Sequence, residues 1–244
     1  MTRHDDERRR AELVTALGAV RARIADVCAA VGRDPRELTL VAVTKTFPAV
    51  DVAALAAIGV TDIGENKDQE ARAKIKELAA PQYAPPAPIR WHLVGRVQTN
   101  KANSVVSYAH CVHSLDRPKL VHALADAVGR GRPAPLEVFL QVSMDGDPDR
   151  GGVPIDRLAE LADLVAARPE LVLRGVMTVL PLGVEPDEGY ARLAELSQRL
   201  RADHPQASAI SAGMSGDLEA AVRNGSTHVR VGTALLGRRE QVLG

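Results

Sequence analysis

The chain has 244 residues, with 31 Lys+Arg against 31 Asp+Glu, so it lacks the positive excess that grips a nucleic-acid backbone or an anionic membrane. Hydrophobic residues at 45% exclude a disordered chain, while aromatics at 2% exclude base-stacking platforms and make the core aliphatic. Two cysteines, Cys28 and Cys111, make no disulfide framework, MTRHDDERRR carries no secretory signal, and no run approaches the ~18 apolar residues of a membrane span. A cytoplasmic protein is expected.

A helix comes first, with Leu13, Leu17, Val20, Ile24, Val27 and Val31 spaced by three and four. Gly32 and Asp34-Pro35 end it. From there a short Val/Ile/Leu-rich run, a turn and a helical stretch recur. Strands are predicted at 38–44, 61–64, 89–94, 110–115, 136–142, 171–179, 207–211 and 227–231. Helices fall between them at 48–58 (led by Pro48), 67–80, 97–108, 117–130, 155–168, 187–203 and 215–224. Several strands are apolar throughout, as parallel strands covered on both faces are. Eight such units predict an α/β fold, a single (β/α)8 TIM-type barrel with an extra N-terminal helix, spanning 1–244 as one domain. A doubly wound sheet is the rival, but it has no preference for eight units.

Barrel chemistry sits where strands end. Strand one ends in Thr44-Lys45. Pointed inward, Lys45 would be desolvated and its neutral amine would attack aldehydes; pointed outward, it is an ordinary surface lysine. Strand seven runs into Ser211-Ala212-Gly213-Met214-Ser215 and strand eight into Arg230-Val231-Gly232-Thr233. Small residues opening a helix at these two strand ends suit a phosphate, although Gly and Ser are also plain turn residues. An imine-forming lysine and a phosphate cradle in one mouth point to a phosphorylated aldehyde, either pyridoxal phosphate or the sugar phosphate of a class I aldolase. Arg230 favours the first if it meets a pyridine nitrogen, and would otherwise be a structural ion pair.

The segments LVAVTKTFP, IGENKDQEA, WHLVGRVQTNK, LRGVMTV and SAGMSGDLEAAVRNGSTHVRVGTALLG resemble the YggS/PROSC family of pyridoxal phosphate homeostasis proteins over about 38–237. That family is similar to the N-terminal barrel domain of alanine racemase. The resemblance implies pyridoxal 5'-phosphate as cofactor, Lys45 as its Schiff-base lysine and Asn66 near the ring substituents. Ser211, Met214 and Ser215 would frame the phosphate, Gly232 and Thr233 would offer backbone N–H groups, and Arg230 would face the pyridine nitrogen. His92 and Met177 would lie near the ring, with core packing as the simpler account of Met177. Four positions depart from the family: Lys67, Arg150, Ala212 and Leu236.

A racemase also needs a second base on the far face of the substrate, which alanine racemase takes from a Tyr of another domain. Tyr83 in the Pro-rich loop, Tyr108 at a helix end and Tyr190 inside a helix are not at strand ends, and no second domain follows Gly244. A non-catalytic binding module is therefore expected, with a weak amino-acid racemase as the alternative. The aldolase reading needs a carboxylate beside the lysine, and alternation turns Glu65 away from Asn66. His110-Cys111-Val112-His113 is read as no metal site, because His110 and His113 face opposite sides of a strand. Expected partners are pyridoxal phosphate and the apo-enzymes that use it, with the chain a monomer.

Overall fold

Apolar runs too short for helices become strands here, and the computed structural model describes residues 3–147 and 150–238. The strands are β1 (Thr39–Val43), β2 (Asp62–Glu65), β3 (Arg90–Leu93), β4 (Ala109–Leu115), β5 (Leu136–Gln141), β6 (Leu171–Met177), β7 (Ala209–Ser211) and β8 (His228–Val231). They pair in sequence order, all parallel, and β8 closes on β1 with Val231 opposite Ala42. The closed barrel is therefore the expected one, with α1 (Arg3–Ala30) ahead of it.

Helices α2 (Ala49–Ala57), α3 (Asp68–Leu78), α4 (Ala102–Val106), α5 (Pro118–Gly129), α6 (Leu158–Ala166), α7 (Pro186–Asp203), α8 (Leu218–Arg223) and α9 (Thr233–Leu236) wrap the barrel. Outward-facing strand residues such as Leu93, Val112, Val138 and Leu140 pack on Leu120, Leu124, Leu161 and Leu193 of α5, α6 and α7. A second cluster joins Ala42, Ile63 and Val229 to Leu13, Leu17, Val20 and Ile24 of α1. The N-terminal helix is thus part of the core, and Arg23 fixes it further by pairing with Glu219 at 2.6 Å. At its end Val27 and Cys28 are buried, and Val31, expected on the apolar face, is exposed, because the helix stops at Ala30 and Gly32 turns at φ +68°.

Three further expectations are corrected. The helix expected over 97–108 is only a 3-10 turn and the short α4, so Tyr108 lies beyond the helix end. Pro48 caps α2 from outside rather than opening it. Strand seven begins at Ala209 and α8 at Leu218, so Ser215 lies in the connecting loop and not in a helix.

Candidate functional site

All eight strands run the same way, so their C-terminal ends share one mouth. At the end of β1, Lys45 is exposed, so this structure does not bury its amine. The backbone beneath it is fixed: Lys74 of α3 donates to the Thr44 carbonyl at 2.7 Å and to Glu65, whose same oxygen also accepts from the Thr44 hydroxyl. Glu65 is buried, facing α3 rather than the mouth, so it supplies no carboxylate beside Lys45. Thr46 follows at φ +68°, a left-handed conformation that costs a non-glycine residue about 1–3 kcal/mol and occurs where surroundings impose it.

The β7 and β8 loops meet beside it. Ser215 Oγ accepts the Ala234 N–H at 3.1 Å, tying the two loops together. The Met214 N–H is not free, since Asp217 accepts it, and Tyr190 of α7 donates to the other oxygen of Asp217 at 2.8 Å. Among the described residues, the backbone N–H groups of Ser215, Gly216, Gly232 and Thr233 have no acceptor within the chain. Gly232 lets its loop lie close to β1, where a Cβ would come within 3.3 Å of the Val43 carbonyl. Gly213 holds φ +91°, and a Cβ there would reach Ala221 at 2.6 Å. These donors at adjoining strand ends fit the oxygens of a phosphate.

Arg230 lies inside the barrel, 5% exposed, donating to Ser211 Oγ at 2.7 Å and to the Thr178 carbonyl at 2.8 Å. Burial lowers its guanidinium to about 10, against the opposing charges of Tyr190 and Asp217, so it stays charged at neutral pH. Among the described residues Arg230 forms no ion pair of the kind considered: the hydrogen bonds it gives there go to the neutral oxygens of Ser211 and Thr178. It is a donor-only group, the type that meets an unprotonated pyridine nitrogen. Ser211 is buried and engaged by Arg230, so its side chain serves Arg230 and is not presented to a phosphate. Met214 on the β7 loop and Thr233 at the start of α9 are exposed.

Met177 packs with Cys111, Phe139 and Ala209 in a small cluster inside the barrel, as the packing account has it, while also lining a 320 Å³ cleft with Arg96 and Arg150. Asn66 lines a neighbouring 460 Å³ cleft with Lys67, Arg96 and Lys101. His92 is buried between Asp62 and His113, 2.9 Å from each, and so lies in the barrel interior rather than at its rim. Of the four departures, Arg150 bonds to the carbonyls of Val179 and Leu180, Lys67 is exposed, and Ala212 and Leu236 are buried. Pro148 and Asp149 of the 145–152 loop lie outside the described residues.

The residues missed by sequence reasoning are Asp62, His113 and Cys111. His110 is not part of the group, but Cys111 shares the inner face with His113, and His92 joins them with ligand atoms within 4.8 Å. The two histidine nitrogens are 2.9 Å apart, whereas ligands at ~2.0–2.1 Å from a tetrahedral zinc stand about 3.3 Å apart. A shared proton fits that spacing better than a metal. The signal was available in the i, i+2 alternation of Cys111 and His113, but their partner on β3 was not.

Residues 16–240 match the model of the alanine racemase N-terminal domain. The chain is 45% identical over 243 residues to a pyridoxal phosphate homeostasis protein of Mycobacterium tuberculosis, covering 95% of this chain and 94% of that one. A protein of the same description from Pseudomonas aeruginosa is 39% identical over 224 residues, with 92% and 94% covered. Among solved structures, PipY of Synechococcus elongatus with pyridoxal phosphate bound superposes at TM-score 0.76, with 31% identity over 88% of this chain and 100% of that one. Alanine racemase of Corynebacterium glutamicum, at TM-score 0.61 and 17% identity, covers 93% of this chain and 62% of the enzyme and shares the fold alone. The chain belongs to the alanine racemase N-terminal domain family and, within it, to the pyridoxal phosphate homeostasis proteins.

Proposed function

We propose that this protein binds pyridoxal 5'-phosphate reversibly through Lys45 and takes part in intracellular handling of the cofactor rather than in amino-acid turnover. The observation that carries the reading is the set of acceptorless backbone N–H groups on the β7 and β8 loops, next to a buried, charged Arg230. The homeostasis proteins it resembles and pyridoxal phosphate-bound PipY support the same cofactor.

When bound, the cofactor would supply an aldehyde, and the Lys45 amine is the group that would hold it. Ser215, Gly216, Gly232 and Thr233 would donate backbone N–H groups to its phosphate. Arg230 would orient the ring by donating to the pyridine nitrogen, which a guanidinium that keeps its own protons would leave bare. A bare nitrogen withdraws electrons less well, which suits holding the cofactor more than driving chemistry on it. Asn66 and Met177, bordering the neighbouring clefts, bound the space around the ring.

Racemisation would require a second base, and the tyrosines do not supply one. Tyr190 is spent on Asp217, and burial raises its phenol well above the ordinary range. Tyr83 lies in the Pro-rich segment and Tyr108 behind α4. Among the described residues no helix is long and apolar enough to cross a membrane, and both cysteines are unpaired, which supports a role inside the cell. Recipients would be apo-enzymes that use the cofactor.

The test is an absorbance spectrum with and without added pyridoxal phosphate, then borohydride reduction and peptide mapping. A new band that reduction fixes on Lys45 is the expected outcome. Absence of any band, or label spread over surface lysines, would overturn the reading.

A further inference from the structure

The inside of such a barrel is ordinarily filled by branched aliphatic side chains. Here a line of polar groups crosses it. Asp62 on β2 accepts from Arg90 Nε at 2.8 Å and lies 2.9 Å from His92 Nε2. His92 Nδ1 is 2.9 Å from His113 Nε2, and His113 Nδ1 is 2.8 Å from Ser211 Oγ. Ser211 then accepts from Arg230, whose other arm is on Thr178. His92, His113, Ser211 and Arg230 are all buried.

Counting protons fixes the direction of this line. Arg230 can only donate, and an ionised carboxylate can only accept. Burial pushes the Asp62 pKa up, but hydrogen bonds from His92 and Arg90 outweigh it and leave the group at about 2, so it is ionised. His92 Nε2 must therefore carry a proton. Burial holds His113 well below the ordinary histidine range, so it has a single N–H. With His92 neutral, one arrangement satisfies every link. Ser211 O–H donates to His113 Nδ1, His113 Nε2–H donates to His92 Nδ1, and His92 Nε2–H donates to Asp62. All the dipoles then point from the Arg230 cation to the Asp62 anion.

We propose that Asp62, His92, His113 and Ser211 form a one-way hydrogen-bond chain that positions Arg230, and that one added proton reverses it. If His92 takes a second proton on Nδ1, it donates to His113 Nε2. The single proton of His113 must then sit on Nδ1 and point at Ser211. Ser211 now accepts from both His113 and Arg230, and its own hydrogen leaves the chain. No proton is created or lost beyond the one added, and His113 itself stays neutral. The base of the barrel thereby controls how Arg230 is held. That Arg230 meets a cofactor rests on the function proposed above, whereas the chain itself does not.

Other titratable groups around the pair do not supply an alternative partner. His228 on β8 lies edge-on to His113 and is lowered by burial to about 3. Cys111 on β4 is a fully buried thiol, raised well above its ordinary value. His110 lies 6.0 Å from His92, ring to ring, and is turned towards Glu137, which Arg174 of β6 also approaches.

The test uses the full-length protein without added cofactor, labelled with 15N in its imidazoles, and reads which ring nitrogen of each histidine bears hydrogen. Wherever His92 carries a single proton, His92 and His113 should both be protonated on Nε2. On acidification, His113 should move its proton to Nδ1 as His92 becomes doubly protonated, without becoming an imidazolium. Asp62→Ala should move that His113 switch to lower pH. An Nδ1–H form of His113 beside a singly protonated His92, or a His113 switch independent of His92, would overturn the proposal. If Asp62→Ala does not fold, the wild-type titration decides alone. Because cofactor takes no part, failure here leaves the binding reading standing, and failure of binding leaves the chain standing.

Discussion

The two faces of the same eight strands contrast sharply. Outward, Leu93, Val112, Val138 and Leu140 meet leucines of the helices in a continuous aliphatic layer. Inward, the apolar cluster is reduced to Cys111, Phe139, Met177 and Ala209, and much of the remaining space holds Asp62, His92, His113, Ser211 and Arg230. Alternation along a strand makes this division possible, since adjacent residues serve opposite faces. The outer face needs only the right volume and is tolerant of which aliphatic side chain supplies it. Each inner group has a fixed partner, and a lost partner leaves a buried polar atom unsatisfied. Stability is therefore concentrated outside the barrel, and chemistry inside it and at its rim.

Substitutions that separate the two faces test this division. The largest functional effect should come from Lys45→Ala, which removes the exposed amine at the mouth. Borohydride trapping of pyridoxal phosphate should be lost completely while circular dichroism and Tm stay unchanged. An unfolded Lys45→Ala protein would mean that the mouth carries structure after all. Conversely, Leu124→Ala empties a fully buried site in the outer layer and should cost about 2–5 kcal/mol in urea unfolding. Below its transition the variant should still trap the cofactor on Lys45; selective loss of trapping would blur the contrast between the faces.

An intermediate case is Gly213, at the boundary of the two. A methyl group there would meet Ala221 of α8 at 2.6 Å, and the backbone sits at φ +91°. Gly213→Ala should cost about 1–3 kcal/mol. Its loop carries Ser215 and Gly216, so cofactor affinity should fall with stability. Affinity that survives the stability loss unchanged would remove this loop from the phosphate site.

The outer face was legible in the sequence because its signal is local. Runs such as LTLVAV and LEVFL, separated by helical stretches, specify eight covered parallel strands without knowledge of any contact. The helix expected over 97–108 failed for a local reason too. Ser107 offers the backbone a side-chain alternative to helical bonds, its Oγ donating to the Ser104 carbonyl at 2.7 Å where the helix ends. The loops after β7 and β8 were legible as a place for an anion, since strand order and glycine content mark them. What was not legible was which of their N–H groups remain available, because that depends on Asp217 turning back onto Met214. The line from Asp62 to Arg230 was least legible of all. It joins β2, β3, β4, β7 and β8, whose relative heights are set by register shifts in the barrel such as those beside Trp91 and Val112.

The smallest effect predicted here concerns acid. Asp62 has a folded pKa of about 2 against an ordinary 3.8, so the folded protein favours its ionised form. A depressed pKa contributes stability that is complete above the unfolded value and lost as pH falls through the folded one. Asp62→Asn should therefore lower stability at pH 6 by at most about 2 kcal/mol. The gap to wild type should shrink below pH 4 and close only below pH 2, once the folded carboxyl is protonated and both proteins carry a neutral side chain. A gap that persists undiminished down to pH 2 would show that Asp62 acts through shape rather than charge. The inner face would then be packed by the same rule as the outer one, and its polar line would need an origin other than the carboxylate at its base.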